Sequence, residues 1–242
     1  MPSRRLDWPD CRNTRDLGGL PVAGGRTRIG MLIRSDNLLS LTAAGQEAMV
    51  AYGVTDVIDL RSESEVAASP SPFAAPEPFA GPAPTYSHLA LVDDVTMRKL
   101  AEAPDMFDRY LMMLAFRADA FRGIFTTLAR TEGGAVFHCF AGKDRTGMVA
   151  AMSLALAGVE VESIAADYAE TDAQMATRYQ EWLAAAPPQQ LEEMREDLRC
   201  PPARMVAVLK HLDTRWGGVE GYLEASGVAA ADITTLRSKL AN

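Results

Sequence analysis

Ala135-Val136-Phe137-His138-Cys139-Phe140-Ala141-Gly142-Lys143-Asp144-Arg145-Thr146-Gly147 is the stretch on which the reading of this chain turns. Ala135 to His138 is a short apolar run of strand type, and Thr146 to Ala157 has helical character and is closed by Gly158. A strand that feeds a helix through a short loop brings backbone N–H groups to a helix N-terminus, where they can hold an anion. Cys139 opens the loop and Arg145 closes it, a C-x5-R spacing. A free thiol has a pKa of about 8.5, and helix N-termini with nearby cations lower it to roughly 3.5–7.5. Such a thiolate is a nucleophile at neutral pH. Arg145 offers a planar fork for two phosphate oxygens, which the point charge of a lysine does not match. Gly142 permits the backbone turn that brings the amides inward. Phe140, Ala141, Gly142, Lys143, Asp144, Arg145 and Thr146 are therefore the expected phosphate-binding residues, and the Thr146 hydroxyl can donate to the thiolate. A buried structural cysteine beside a solvated Lys-Asp-Arg cluster would satisfy the bare spacing. The strand, His138, Gly142, the Thr-Gly ending and the helix together favour a phosphate loop.

Upstream, Gly18 to Val22 and Arg28 to Ile33 flank Ala23-Gly24-Gly25 and read as a hairpin. Thr42 is an N-cap for a helix that ends near Tyr52, with Gly53 as its stop. The run Thr55 to Leu60 follows as a strand, and a helix followed by a strand suggests a parallel sheet with crossovers. Prolines 70, 72, 76, 78, 82 and 84 make Ser69 to Pro84 a loop. Tyr86 to Val92 is a further strand, and Pro104 to Arg130 reads as helical in two pieces. After the loop helix the chain is mostly helical, punctuated by Pro187-Pro188 and Pro201-Pro202: Val161 to Ala186, Met205 to Thr214, Val219 to Ala225 and Ala231 to Leu240.

The 242 residues suffice for one substantial core, and 48% hydrophobic with 23% charged residues is a globular balance. A net charge of −8 gives no general attraction to nucleic acid or to an anionic membrane. The sparse set Cys11, Cys139 and Cys200 suggests no disulfide framework, and His88, His138 and His211 are too scattered for a zinc site. No cofactor or metal is expected. The polar start, with Arg4, Arg5 and Asp7, carries no apolar core of signal-peptide type, and no stretch approaches the roughly 20 apolar residues of a membrane span. A reducing cytoplasm is the default expectation, with export by a route that needs no cleaved signal left open.

The 138–147 segment resembles the signature loop of the protein tyrosine phosphatase superfamily, and its Gly-Lys-Asp-Arg form is similar to the atypical bacterial, triple-specificity branch. Asn13-Thr14-Arg15-Asp16-Leu17-Gly18-Gly19, Leu32 to Asp36, Val57 to Arg61, Asp167-Tyr168 and Gly217 to Leu223 carry the same resemblance across nearly the whole chain. It implies one α/β domain over 1–242, with a mostly parallel sheet flanked by helices and a helical lid at 171–203. It also implies hydrolysis of phosphate monoesters through a cysteinyl-phosphate, on a phosphorylated protein or a phosphoinositide. Phosphotyrosine, phosphoserine, phosphothreonine and lipid are left unranked. Lys143 matches one lysine of the inositide-reading loops, whereas Phe140 stands where another would be.

Departure of the alcohol needs a general acid. Asp93 and Asp94 lie about where the superfamily's mobile-loop aspartate would be, and Asp144 is a rival within the loop. Myotubularin-type phosphatases have an aspartate at that loop position, and the rule that a donor must reach the leaving oxygen favours Asp144. Arg15, Asp16, Arg34, Asp59 and Arg61 read as an ion-pair scaffold beneath the loop, and His138 as an orienting group. The lid segment could equally pack on the core. The competing functions are a phosphoprotein-binding pseudophosphatase and a rhodanese-like sulfurtransferase.

Overall fold

The computed structural model describes residues 4–74 and 83–241. Pro76, Pro78 and Pro82 of the proline-rich stretch lie outside those residues, while Pro70, Pro72 and Pro84 fall between regular elements. The strands are β1 (Arg15–Asp16), β2 (Pro21–Val22), β3 (Gly25–Arg26), β4 (Leu32–Ser35), β5 (Val54–Asp59), β6 (Thr85–His88) and β7 (Gly134–His138). Five of them form one sheet in the order β1-β4-β7-β5-β6. All its neighbours are parallel except β1, which runs antiparallel to β4. The expected α/β class, with a mostly parallel sheet flanked by helices, is what the chain adopts.

Strand β7 sits at the centre and is buried along its whole length. Its side chains alternate between two cores, as strand geometry requires. Phe137 joins Leu32 and Ile58 on one face, and Val136 joins Ile33 and Val57 on the other. The second face is covered by Met49 of α1 (Ala43–Ala51), Trp8 of the N-terminal segment, and Leu38 and Leu41 of the connection from β4 to α1. The first face carries α4 (Met106–Phe116), α5 (Ala118–Arg130), α6 (Asp144–Leu156), α9 (Pro202–Trp216), α10 (Val219–Ala225) and α11 (Ala230–Leu240). Helix α6 is buried on nearly every side, consistent with its run of Gly, Ala, Val and Met and its place between sheet and helical layer.

Several boundaries differ from the sequence expectation. The hairpin is the short pair β2–β3, with Pro21 opposite Arg26. The apolar Leu32 and Ile33 leave it for the main sheet, where both are fully buried. Helix α6 begins at Asp144, so Asp144, Arg145 and Thr146 occupy its first turn. Two short helices were not anticipated, α2 (Glu63–Ala68) and α3 (Asp94–Leu100). Beyond α6, α7 (Val161–Ala185) is one continuous helix, followed by a 3-10 turn at Pro188–Gln190 and α8 (Leu191–Leu198). Among the described residues no helix is long and apolar enough to cross a membrane, and no cluster of three or more His, Cys, Asp or Glu side chains could hold a metal ion.

Candidate active site

The loop from Cys139 to Lys143 leaves the C-terminal end of the central strand, where open parallel sheets bind their ligands. Three successive loop carbonyls are held from outside. Asn37 donates its backbone N–H and its side-chain Nδ2 to Phe140 O, both at 3.0 Å. Asn13 Nδ2 donates to Ala141 O at 3.0 Å and to Gly142 O at 3.1 Å. Arg34 Nη2 donates to Gly142 O at 2.7 Å. In a planar trans peptide the C=O and the following N–H point opposite ways. Turning these carbonyls outward therefore turns the amides of Ala141, Gly142 and Lys143 inward. Gly142 has φ +65°, and a Cβ there would lie 2.6 Å from both Asp36 N and Ser35 O, so no other residue fits.

Cys139 is 2% exposed at the floor of a cavity of about 700 Å³ whose lining includes Lys143, Asp144 and Arg145. Arg145 is gripped by Glu65: Nη2 donates to Oε1 at 2.9 Å and Nη1 to Oε2. Burial opposes the guanidinium charge, but the Cys139 sulfur and the Glu65 carboxylate outweigh it and hold Arg145 above the usual arginine range. Burial would raise Glu65, yet Arg145 draws it below the ordinary glutamate value. Glu65 is itself fixed by a capping box at the start of α2, where Oε2 accepts from Ser62 N at 2.8 Å and Ser62 Oγ accepts from Glu65 N.

Asp144 Oδ1 accepts from Tyr110 Oη at 2.5 Å and lies 3.3 Å from Lys143 Nζ. The rivals for the acid are engaged elsewhere. Asp93 caps α3, accepting from Thr96 N at 2.6 Å, and pairs with Arg117. Asp94 accepts from Ser64 Oγ at 2.7 Å. Neither lines the cavity, whereas Asp144 does.

A profile described as tyrosine phosphatase family matches residues 6–242. The chain belongs to that family. It is 34% identical to a Cupriavidus necator protein named as a tyrosine-protein phosphatase, over 96% of this chain and 86% of that one. It is 32% identical to a tyrosine-protein phosphatase of Nostoc commune, over 86% and 73%. To the triple specificity protein phosphatase PtpB of Mycobacterium tuberculosis it is 28% identical, over 97% and 98%. The expectation of a phosphatase that works through a cysteinyl-phosphate agrees with this membership.

Beneath the phosphatase loop lie the charged residues read from the sequence. Arg15, Asp16, Arg34, Asp59 and Arg61 are all buried, and none lines the cavity. Asp167 of α7 is the hub: its carboxylate accepts from Arg15 Nε at 3.0 Å, Arg34 Nη1 at 2.7 Å and Arg4 Nη1 at 2.8 Å. Burial would raise Asp167, but the arginines hold it far below the usual carboxylate range. Burial lowers Arg15 to about 10. On the other side of β7, Arg61 donates to both oxygens of Asp59, which is drawn down to about 2 against the effect of burial. His138 stands between these groups. Its Nδ1 is 3.2 Å from Cys139 O and must donate, because a carbonyl only accepts, and burial pushes the ring below its ordinary pKa. Thr146 Oγ1 is buried with no protein partner, as a hydroxyl reserved for the site would be.

The cavity's far wall comes from the end of α7, the 3-10 turn and α8, through Trp182, Gln190, Glu193, Met194, Asp197 and Leu198. Phe140, 45% exposed, stacks on Trp182 with ring centroids 5.6 Å apart and planes at 23°. Arg109 Nη1 donates to Asp197 Oδ2 at 2.7 Å, and Lys143 Nζ donates to Asp197 O. Within 171–203, Thr171, Met175, Tyr179 and Cys200 are buried, whereas 180–199 is largely exposed or half-buried. The sequence reading missed Glu65, Asn13, Asn37, Arg109 and Tyr110. Glu65 carried a local signal, the Ser62-x-x-Glu65 capping box, and Asn13 stood in the 13–19 segment that carries the family resemblance, though no role was read for it.

Proposed function

We infer that Cys139 attacks the phosphorus of an aryl phosphate monoester while Arg145 and the inward loop amides from Phe140 to Thr146 hold its oxygens. The S–P bond forms as the ester P–O bond breaks, and Asp144 gives its proton to the departing oxygen. Water then attacks the phosphocysteine, Asp144 takes the proton back, and Cys139 leaves as the thiolate, aided by the Thr146 hydroxyl. The observation that carries this reading is the shared cavity: the buried sulfur, the anchored arginine and the carboxyl of Asp144 line one space. The cavity walls are rich in Val92, Met97, Leu100, Met106, Met113 and Trp182, an apolar surface suited to a phosphotyrosine ring. Lys143 and the likeness to a triple-specificity relative support phosphoserine, phosphothreonine and phosphoinositides as further substrates.

The 171–203 segment serves as a lid in this reading, with α8 and the end of α7 as its moving part. Cysteine, arginine and acid are all present, which argues against a pseudophosphatase, and the Lys143-Asp144-Arg145-Thr146-Gly147 ending with the family segments argues against a sulfurtransferase.

The test is a rapid-quench trap of labelled phosphoenzyme from an aryl phosphate, followed by a panel of phosphopeptides and phosphoinositides. Label on Cys139, absent in Cys139→Ser, is expected. Turnover that survives Cys139→Ser overturns the reading.

A further inference from the structure

Asp144 does not stand alone. Tyr110 Oη donates to its Oδ1 at 2.5 Å, and Tyr110 Oη lies 2.8 Å from Tyr168 Oη. A phenol has one hydrogen, and that of Tyr110 is committed to Asp144, so Tyr168 must donate to Tyr110. Arg204 Nη1 in turn donates to Tyr168 Oη at 3.4 Å. The result is a one-way chain, Arg204 to Tyr168 to Tyr110 to Asp144, that ends on a carboxyl oxygen. Both tyrosines are at most 1% exposed, and their rings meet edge to face at 86° with centroids 6.4 Å apart. Gly147 makes room for this arrangement, because a Cβ there would come within 3.2 Å of the Tyr168 ring.

We propose that Tyr110, backed by Tyr168, is a positioning residue for the general acid: it occupies Asp144 Oδ1 and thereby leaves Oδ2 to carry the transferable proton. This rests on the reading of Asp144 as the acid. Lys143 Nζ approaches the same Oδ1 at 3.3 Å, so both donors converge on one oxygen. A hydrogen bond to a carboxylate is about twice as strong as one to a neutral group. The contact therefore strengthens as the proton leaves Asp144, which is when a contact accelerates the step. Tyr110 acts as a fixed donor and not as a proton source, because burial and the Asp144 carboxylate keep its hydroxyl protonated. Other groups also face Asp144. They are Lys143 and Arg145 from its own loop and helix, Tyr168 and Tyr179 from α7, Cys200 ahead of α9, and Arg204 from α9. Their charges are unchanged by a Tyr→Phe substitution.

The experiment measures kcat/KM, which reports the step in which the alcohol departs, against pH for wild type, Asp144→Asn, Tyr110→Phe and Tyr168→Phe, on 4-nitrophenyl phosphate and on phenyl phosphate. Alkylation of Cys139 by iodoacetate serves as a check on the loop. Asp144→Asn is expected to abolish the basic limb of the profile. Tyr110→Phe loses a donor that favours the anion, so the limb moves to higher pH. Its kcat/KM on phenyl phosphate, the poorer leaving group, falls about tenfold, against less than about twofold on 4-nitrophenyl phosphate, with the alkylation rate unchanged. Tyr168→Phe shifts the limb in the same direction by less, and it decides the matter if Tyr110→Phe does not fold. A wild-type limb and equal losses on both substrates in the tyrosine variants, beside a lost limb in Asp144→Asn, overturn this inference alone. A limb retained in Asp144→Asn overturns the acid assignment and the inference with it.

Discussion

Glu65 holds Arg145 by both carboxylate oxygens, and the two residues are 80 positions apart in the chain. The pair fixes the guanidinium over the loop before any substrate arrives. Glu65→Gln keeps the shape but removes the charge, and Glu65→Ala frees the arginine altogether. We expect kcat/KM on a small aryl phosphate to fall about tenfold in Glu65→Ala and less in Glu65→Gln, as a charge-assisted bond contributes about 1.5–3 kcal/mol. Vanadate affinity should fall in parallel, and a variant with unchanged vanadate binding would show that Arg145 needs no anchor.

Gly142→Ala should abolish activity. The residue has positive φ, and its Cβ would press on the backbone of Ser35 and Asp36, which belong to β4 and its exit and cannot give way cheaply. A loss of at least about a hundredfold in kcat/KM is expected, with oxyanion binding lost by calorimetry. Near-normal turnover in this variant would mean that the loop is not held as described.

Asp167→Asn leaves Arg15 and Arg34 buried without their common counter-ion, all three side chains being at most 1% exposed. Breaking such a group typically costs about 3–5 kcal/mol, read as a lower urea midpoint. The sign with pH follows from the lowered carboxyl. The contribution is fully present above the ordinary aspartate pKa of about 3.9 and is lost only as pH falls through the depressed value. The gap between wild type and variant should therefore be constant from pH 7 to about pH 4 and narrow below it. A gap that narrows near neutrality would point to a different group.

Asp197→Asn removes the ion pair that ties α8 to Arg109 but leaves the backbone carbonyl that accepts from Lys143. The pair is part-exposed, so its contribution is at most about 1 kcal/mol, and the open population should rise no more than about fivefold. The rise should appear as higher kcat/KM on a bulky phosphopeptide, with little change on 4-nitrophenyl phosphate, and added salt should mimic it in the wild type. Equal changes on both substrates would mean that α8 is part of the core.

The spacing of the loop, Cys139 through Gly147 between an apolar strand and a helix, was legible because every part of it is local. Backbone geometry converts a strand, five intervening residues and a helix start into an anion cradle whatever lies elsewhere. The parallel sheet, the capped α1 and the paired helices before β7 were legible for the same reason. The sequence by itself thus determined the fold class and the loop. What only the tertiary structure decided is which distant side chains serve that loop: Glu65 on Arg145, Tyr110 on Asp144, Asn13, Arg34 and Asn37 on the loop carbonyls, and Asp197 on Arg109. Asp93, placed near the site by sequence order, is committed to capping α3 and to Arg117. A pairing across 34 or 80 positions depends on where the sheet order and helix packing return the chain, and no local periodicity encodes that path.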